Sequence, residues 1–346
     1  MVQSSYLLFA LFLIIALSVL FGSHYLVYYS VISFFRLTSY HSKFFLAAIL
    51  SALTLNFFLA SYLAHWKESL FTRFYYLGAS IWLGILAGLV FFLALGWLIV
   101  VIIKITGFNA DTRLLGSVII IFTLLYSAYG VWNVFHPKVK EISVKINNLP
   151  DSWKGKKAIQ ISDVHIGHII RGNFLTKVID AVNEQNPDII FITGDLFDGM
   201  DGDLQSIASP LEKLHAPDGV YFVTGNHETY LGVDKAIAAI EKTSIKILND
   251  QMVNISGMQI IGLSYPERGF GKNNSEVIKS IPGFDPASPS ILLYHSPTQI
   301  DEMKKEGISL QLSGHTHKGQ FLPIGFITKL MYKGHDYGLY QDGDFT

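Results

Sequence analysis

The chain contains no cysteine, which excludes disulfide bonds and thiolate metal ligands together. Any bound metal must then be held by imidazole, carboxylate, amide or water. A thiol-free chain suits reducing and oxidising surroundings equally, so this absence assigns no compartment. Net charge is lacking too. A balance of -1 with neutral His creates no field that would gather polyanions, and no nucleic-acid binding is expected. Charge is scarcest in residues 1–135, where Arg36, Lys43, Lys67, Glu68, Arg73, Lys104, Asp111 and Arg113 carry all of it. None of them sits near the centre of an apolar run, which leaves ion transport or proton relay without a residue to rest on.

What fills residues 1–135 is Leu, Ile, Phe and Tyr. A helix needs roughly 20 apolar residues to cross a hydrocarbon core, and the runs 6–21, 44–64, 77–101 and 114–135 meet or approach that length. The first has no basic residue before it and bulky Phe21 and Tyr25 where a cleavage site would need small ones, so it reads as a retained span. Residues 25–35, aromatic and ending at Arg36, read as a segment lying at the membrane interface. Gly84, Gly88 and Gly96 permit a close helix neighbour, but Gly is common in membrane helices, and that plainer explanation is preferred. Four spans place both ends on one side. The basic residues after the last span favour a cytoplasmic globular part and those after the first favour the opposite, so the side is left open.

At His136-Pro137-Lys138 the composition changes, and Pro ends the last helix. The chain therefore divides into an α-helical membrane domain of about four spans, 1–135, and an α/β layered domain, 136–346. In the second, strand-like runs occupy 139–146, 157–162, 188–193, 219–224, 259–263, 290–294 and 309–313. Helical periodicity occupies 174–184, 204–214, 235–242 and 297–305. Such alternation implies much parallel sheet.

Five of those runs end on metal-binding residue types. Asp163-Val164-His165, Gly194-Asp195, Gly225-Asn226-His227-Glu228, His295 and Gly314-His315-Thr316-His317 each follow a strand-like run. Open α/β sheets gather ligands at the carboxyl ends of their strands. The alternation of a strand end aims Asp163 and His165 to one side, and His315 and His317 repeat the device. With Asp195 as a bridging carboxylate, two cations roughly 3.5 to 4 Å apart can clamp a phosphoryl group. Nitrogen and oxygen ligands suit manganese, iron or zinc.

The ordered set DxH, GDxxD, GNHE, a lone His after a strand, and GHTH resembles the calcineurin-like metallophosphoesterase superfamily, over essentially all of the chain from residue 139. The resemblance implies two packed sheets flanked by helices. It implies one metal at Asp163, His165, Asp195 and His317, and a second at Asp195, Asn226, His295 and His315. His227 would give a proton to the leaving oxygen or steady it as a cation, oriented by Asp198, while a hydroxide bridging the metals attacks without a covalent phosphoenzyme. The activity implied is hydrolysis of a phosphomonoester, phosphodiester or diphosphate.

Protein serine/threonine phosphatases continue the second motif with Arg-Gly. Here Gly199-Met200 follow Asp198, which disfavours a phosphoprotein substrate. The hydrophobic N-terminal part is similar to the membrane-associated bacterial branch, some of whose members act on lipid-linked or nucleotide-linked esters, so a bacterial cell membrane is the expected location. A non-catalytic metal-binding scaffold is the alternative, disfavoured because no ligand is missing. His168 and Arg171 read as a solvated loop, Glu228 as a supporting residue rather than a ligand, and 268–271 as a loop at the rim. Relatives continue beyond the segment resembling Tyr337-Gly338-Leu339-Tyr340 into one or two further strands, whereas this sequence stops at Thr346, so a truncated end exposing a sheet edge is expected.

Overall fold

The computed structural model describes residues 2–200, 202–267, 271–321 and 323–346. Among these the chain forms two compact units, Met1–Pro137 and Lys138–Thr346.

In the first unit, α1 (Val2–Phe35), α2 (Tyr40–Trp66), α3 (Leu70–Thr106) and α4 (Thr112–Val134) are separated by turns of a few residues. All four are long and apolar enough to cross a membrane. At about 1.5 Å per residue the 37 residues of α3 extend about 55 Å, well beyond a hydrocarbon core of about 30 Å. Residues 25–35 are not a separate interfacial segment. They continue α1 without a break because Val27, Ser30 and Phe34 are buried against the other helices, which holds that aromatic stretch in the bundle. Hydrogen bonds cross between helices where the surroundings are apolar: Trp82 Nε1 donates to His24 Nε2 at 3.1 Å and Trp97 Nε1 to the Ser30 hydroxyl at 2.8 Å. The glycines also prove selective. Gly88 and Gly96 admit Thr123 and Ile119 of α4, whereas among the described residues nothing comes within 4 Å of a Cβ placed at Gly84.

The second unit contains two four-stranded sheets. The first, in the order β1 (Ala158–Ile161), β2 (Ile189–Ile192), β3 (Val220–Phe222) and β4 (Lys246–Ile247), is entirely parallel. The second joins β5 (Gln251–Ile255) antiparallel to β6 (Met258–Gly262), which continues parallel through β7 (Ser290–Leu293) and β8 (Leu310–Leu312). The period-two alternation sorts side chains by layer. Ile190 and Ile192 point into a cluster with α5 (Gly172–Asn183), α6 (Leu204–Ala208), α7 (Asn226–Leu231) and α8 (Val233–Ile240). Ile189 and Phe191 point the other way, meeting Met258, Ile260, Ile291 and Leu293 of the second sheet. Leu292 and Ile261 face outward onto α9 (Asn274–Ser280) and α10 (Ile300–Lys305). Each such fully buried side chain contributes about 1.5–3 kcal/mol relative to exposure.

Several expectations are corrected. Residues 139–146 form no strand: Val139, Ile142 and Val144 are exposed and the segment pairs with no described strand, so alternation alone did not create a ladder. The helix expected at 204–214 breaks at Pro210 into α6 and a 3-10 turn. Short strands β4 and β5, and helices α7, α9 and α11 (Ile324–Met331), were not anticipated. At the end of the chain, Thr346 N donates to the Ser309 carbonyl and Gln311 N to the Thr346 carbonyl, so this stretch of the β8 edge is paired.

Candidate metal centre

Register brings the first three strand ends level: Ile161 pairs with Ile192, and Ile192 with Phe222. The second sheet does the same with Leu293 and Leu312. The ladder continues into the loops, where Asp163 N donates to Gly194 O at 3.1 Å, His165 N to Asp195 O at 3.1 Å and Gly314 N to His295 O at 2.8 Å. Loops stitched in this way hold their side chains in one small volume.

Asp163, His165, Asp195 and His317 offer donor atoms within 4.8 Å of one another, and Asp195, His295 and His315 form a second such group. Asp195 belongs to both. His317 Nε2 lies 3.3 Å from Asp163 Oδ1, His295 Nε2 lies 3.2 Å from Asp195 Oδ2, and the Nε2 atoms of His165 and His317 face each other at 3.2 Å. Asn226 enters the second group through Oδ1, which is 2.8 Å from His315 Nδ1 and 3.2 Å from His295 Nε2. Its partners orient His295 further, since Nδ1 lies 2.7 Å from the Thr193 carbonyl.

A profile of the family described as calcineurin-like phosphoesterase matches residues 156–319. An uncharacterized metallophosphoesterase of Campylobacter jejuni is 33% identical over 268 residues, covering 74% of this chain and 70% of that protein. The chain belongs to the calcineurin-like phosphoesterase family. A metallophosphoesterase of Helicobacter pylori J99 is 32% identical across 61% of this chain and 56% of its own length. The Danio rerio transmembrane protein with metallophosphoesterase domain is 32% identical across 61% of this chain. The chain spans about half the length of these last two, 56% and 52%.

The donor set fits divalent cations, as membership of this phosphoesterase family implies. Two carboxylates, four imidazoles and one amide oxygen converge without sulfur, a set suited to borderline or hard divalent ions. His165 Nδ1 is buried without a hydrogen-bond partner among the described residues, and the Asp198 carboxylate lies 3.8 Å from it, where a metal-binding imidazole is commonly steadied by a carboxylate. The backbone is strained at the same place: Asp163, His165, Asp195, His315 and His317 all have positive φ, between 47° and 74°. Such conformations in non-glycine residues cost of order 1–3 kcal/mol each and persist only where the surroundings enforce them.

Electrostatics separates the imidazoles. Burial, with the neighbouring His227, depresses His165 to about 4, and burial with His295 does the same to His315. Both are therefore neutral donors at physiological pH. The hydrogen bond with Asp163 raises His317; His295 is also raised, because Asp195 outweighs its burial. Burial alone would lift Asp163, but His317 and His295 bring it down to about 2. Burial would lift Asp195 too, but His295 and His227 lower it, so both carboxylates are ionised and ready to bind cations.

His227 stands beside these groups, its ring edge-on to His165 at 4.4 Å. Asp198 meets this ring through its main chain, Nδ1 lying 3.0 Å from the Asp198 carbonyl oxygen. Its carboxylate is near both rings: an Asp198 carboxylate oxygen and one nitrogen each of His165 and His227 lie within 4.8 Å of one another. Glu228 belongs to none of the donor groups among the described residues. Fully buried, it accepts from Asp195 N at 2.9 Å, Gly225 N at 2.6 Å and Phe197 N at 3.0 Å, tying two metal-lining loops together. His168 does not sit in a solvated loop; it is buried because Ile166 bridges to Phe197 and Gly167 packs on Asp198. Arg171 starts α5 and is half-buried. Residues 268–270 of the expected rim loop lie outside the described residues.

Three tyrosines at the centre escaped the sequence reading. Tyr265 has its ring 5.8 and 5.9 Å from His295 and His315, Tyr332 lies 6.0 Å from His315, and Tyr230 lies 5.3 Å from His227. A signal for Tyr265 existed, since it follows β6 at the same carboxyl edge. Burial pushes its hydroxyl up to about 12, so it stays protonated.

The fit is tight at Gly225, where a Cβ would overlap the Asp195 carboxylate and come within 2.6 Å of Asp195 N. Gly225→Ala should therefore displace Asp195. The expected result is a loss of about 1–3 kcal/mol from overpacking together with reduced bound metal, read by thermal melting and elemental analysis of the same sample.

Proposed function

We propose that the chain hydrolyses a phosphomonoester, phosphodiester or diphosphate at a membrane, with two divalent cations held at Asp163, His165, Asp195 and His317 and at Asp195, Asn226, His295 and His315. The observation that carries this reading is the shared position of Asp195 in both donor groups. Manganese, iron or zinc held there would supply positive charge against phosphoryl oxygens and lower the pKa of bound water to about 7. The chain's own part is electrostatic and positional. Two ligand carboxylates against two divalent ions leave the centre net positive, which selects an anionic substrate and disfavours a neutral ester.

His227 is proposed as the proton donor to the leaving oxygen. The Asp198 carbonyl accepts from Nδ1–H, which leaves Nε2 as the atom that takes up and delivers the transferred proton. Lipid-linked and nucleotide-linked phosphates are the proposed substrate classes. The Campylobacter and Helicobacter relatives support a bacterial cell membrane as the location.

The test uses full-length chain loaded with manganese and two esters that differ in leaving group. His227→Gln should keep its metal and lose about 10²- to 10⁴-fold in kcat on an alkyl phosphate. The loss should be much smaller on an aryl phosphate whose phenolate leaves without a proton. Equal losses on both would remove His227 from this role.

A further inference from the structure

Helix α11 lies on its domain with the expected polarity reversed. Gly325, Thr328 and Tyr332, spaced three and four residues apart, form its half-buried stripe. Gly325 packs against Gly319 so closely that a Cβ on Gly319 would come within 2.5 Å of the Gly325 Cα, and Tyr332 reaches the His315 ring. Small and polar residues thus face the protein. Ile324, Phe326, Ile327, Leu330 and Met331 face outward, with Leu330 81% and Met331 69% exposed, and no residue of the helix is buried. At about 100° per residue these five occupy a continuous arc of about 160°. A helix of an ordinary soluble domain buries such an arc.

The border of this face is basic and aromatic. Lys329 and Lys333 border one side of it, Lys318 Nζ lies 4.6 Å over the ring of exposed Tyr337, and Asp336 is the sole acidic residue between 318 and 340. A short helix with an apolar arc, a lysine rim and nearby tyrosines has the composition of a segment that lies in a bilayer interface. The chain itself supplies the proximity. Four helices of the same chain are long and apolar enough to cross a membrane.

We propose that α11 is an interfacial helix: its apolar arc rests in the headgroup region of an anionic lipid bilayer, and Lys329 and Lys333 bind the lipid phosphates. The loop that carries His315 and His317 is joined to this helix by the packing of Gly319 on Gly325 and of Tyr332 near the His315 ring, so docking brings the metal-donor loop toward the headgroups. Protein partners fit less well, since a protein interface of this size would not require the one-signed charge rim.

The absence of native cysteine makes the test direct. Full-length chain carrying a single cysteine, as Phe326→Cys, Leu330→Cys or the exposed control Glu241→Cys, is labelled with a nitroxide and reconstituted into phosphatidylcholine vesicles containing phosphatidylglycerol. Collisions with oxygen and with a water-soluble nickel chelate should place the labels at 326 and 330 about 5 to 10 Å below the lipid phosphates, with the label at 241 in water. Lys329→Gln and Lys333→Gln should each weaken the docking equilibrium roughly fivefold. Nickel access at 330 equal to that at 241 would overturn the proposal. So would spin–spin broadening between copies, which marks a dimer, or shielding from both relaxants, which marks a protein cover. The readout is independent of hydrolytic activity.

Discussion

Asp195→Asn is expected to abolish metal binding and phosphoester hydrolysis together. The carboxylate is buried, it serves both donor groups, and its Oδ1 also accepts from His227 N at 2.8 Å. The amide keeps the shape but removes the charge, and one of its two positions can no longer accept. Charge stabilisation by the cations is worth several kcal/mol, so a fall of roughly 10³- to 10⁵-fold in kcat/KM is expected at tenfold per 1.36 kcal/mol. Bound metal should fall in parallel. Full activity in the variant, or in wild type stripped by a chelator, would remove the metal-dependent reading altogether.

Glu228→Ala is expected to destabilise the domain without removing a ligand. Burial pushes this carboxyl up, yet three amides donate to it, and it caps α7 from the third position of that helix. Alanine leaves three buried N–H groups unpaired, each costing about 1–3 kcal/mol. For a domain near 200 residues a loss of about 3 kcal/mol lowers Tm by roughly 10 °C. The variant should also bind metal more weakly, because the freed amides belong to Asp195, Phe197 and Gly225. Glu228→Gln should fall between, since one oxygen still accepts while its NH₂ opposes a donor. An unchanged Tm in Glu228→Ala would show that water satisfies all three amides.

The centre was legible where chemistry and periodicity coincide. Five strand ends with His, Asp or Asn were visible because an apolar run followed by a ligand type is a local pattern. Tyr230 and Tyr332 were hidden because their approach to the centre depends on how α7 and α11 pack. Glu228 was legible only as a supporting residue, since three backbone donors from two loops leave no trace in side-chain identity. The positive φ of Asp163, His165 and Asp195 was invisible for the same reason. Residues 139–146 failed in the opposite direction, because alternation describes a strand's faces and says nothing of a partner to pair with.

The level strand ends divide the domain into an edge that tolerates changes of length and one that does not. Deleting one residue from β2 would retract Asp195 by about 3.3 Å and exchange the faces of Ile190 and Phe191. Adding residues where α5 returns to β2, at the opposite edge, moves neither. Tags, permuted termini or inserted sensor domains therefore belong at that far edge, where the fold absorbs them and the metal donors keep their spacing.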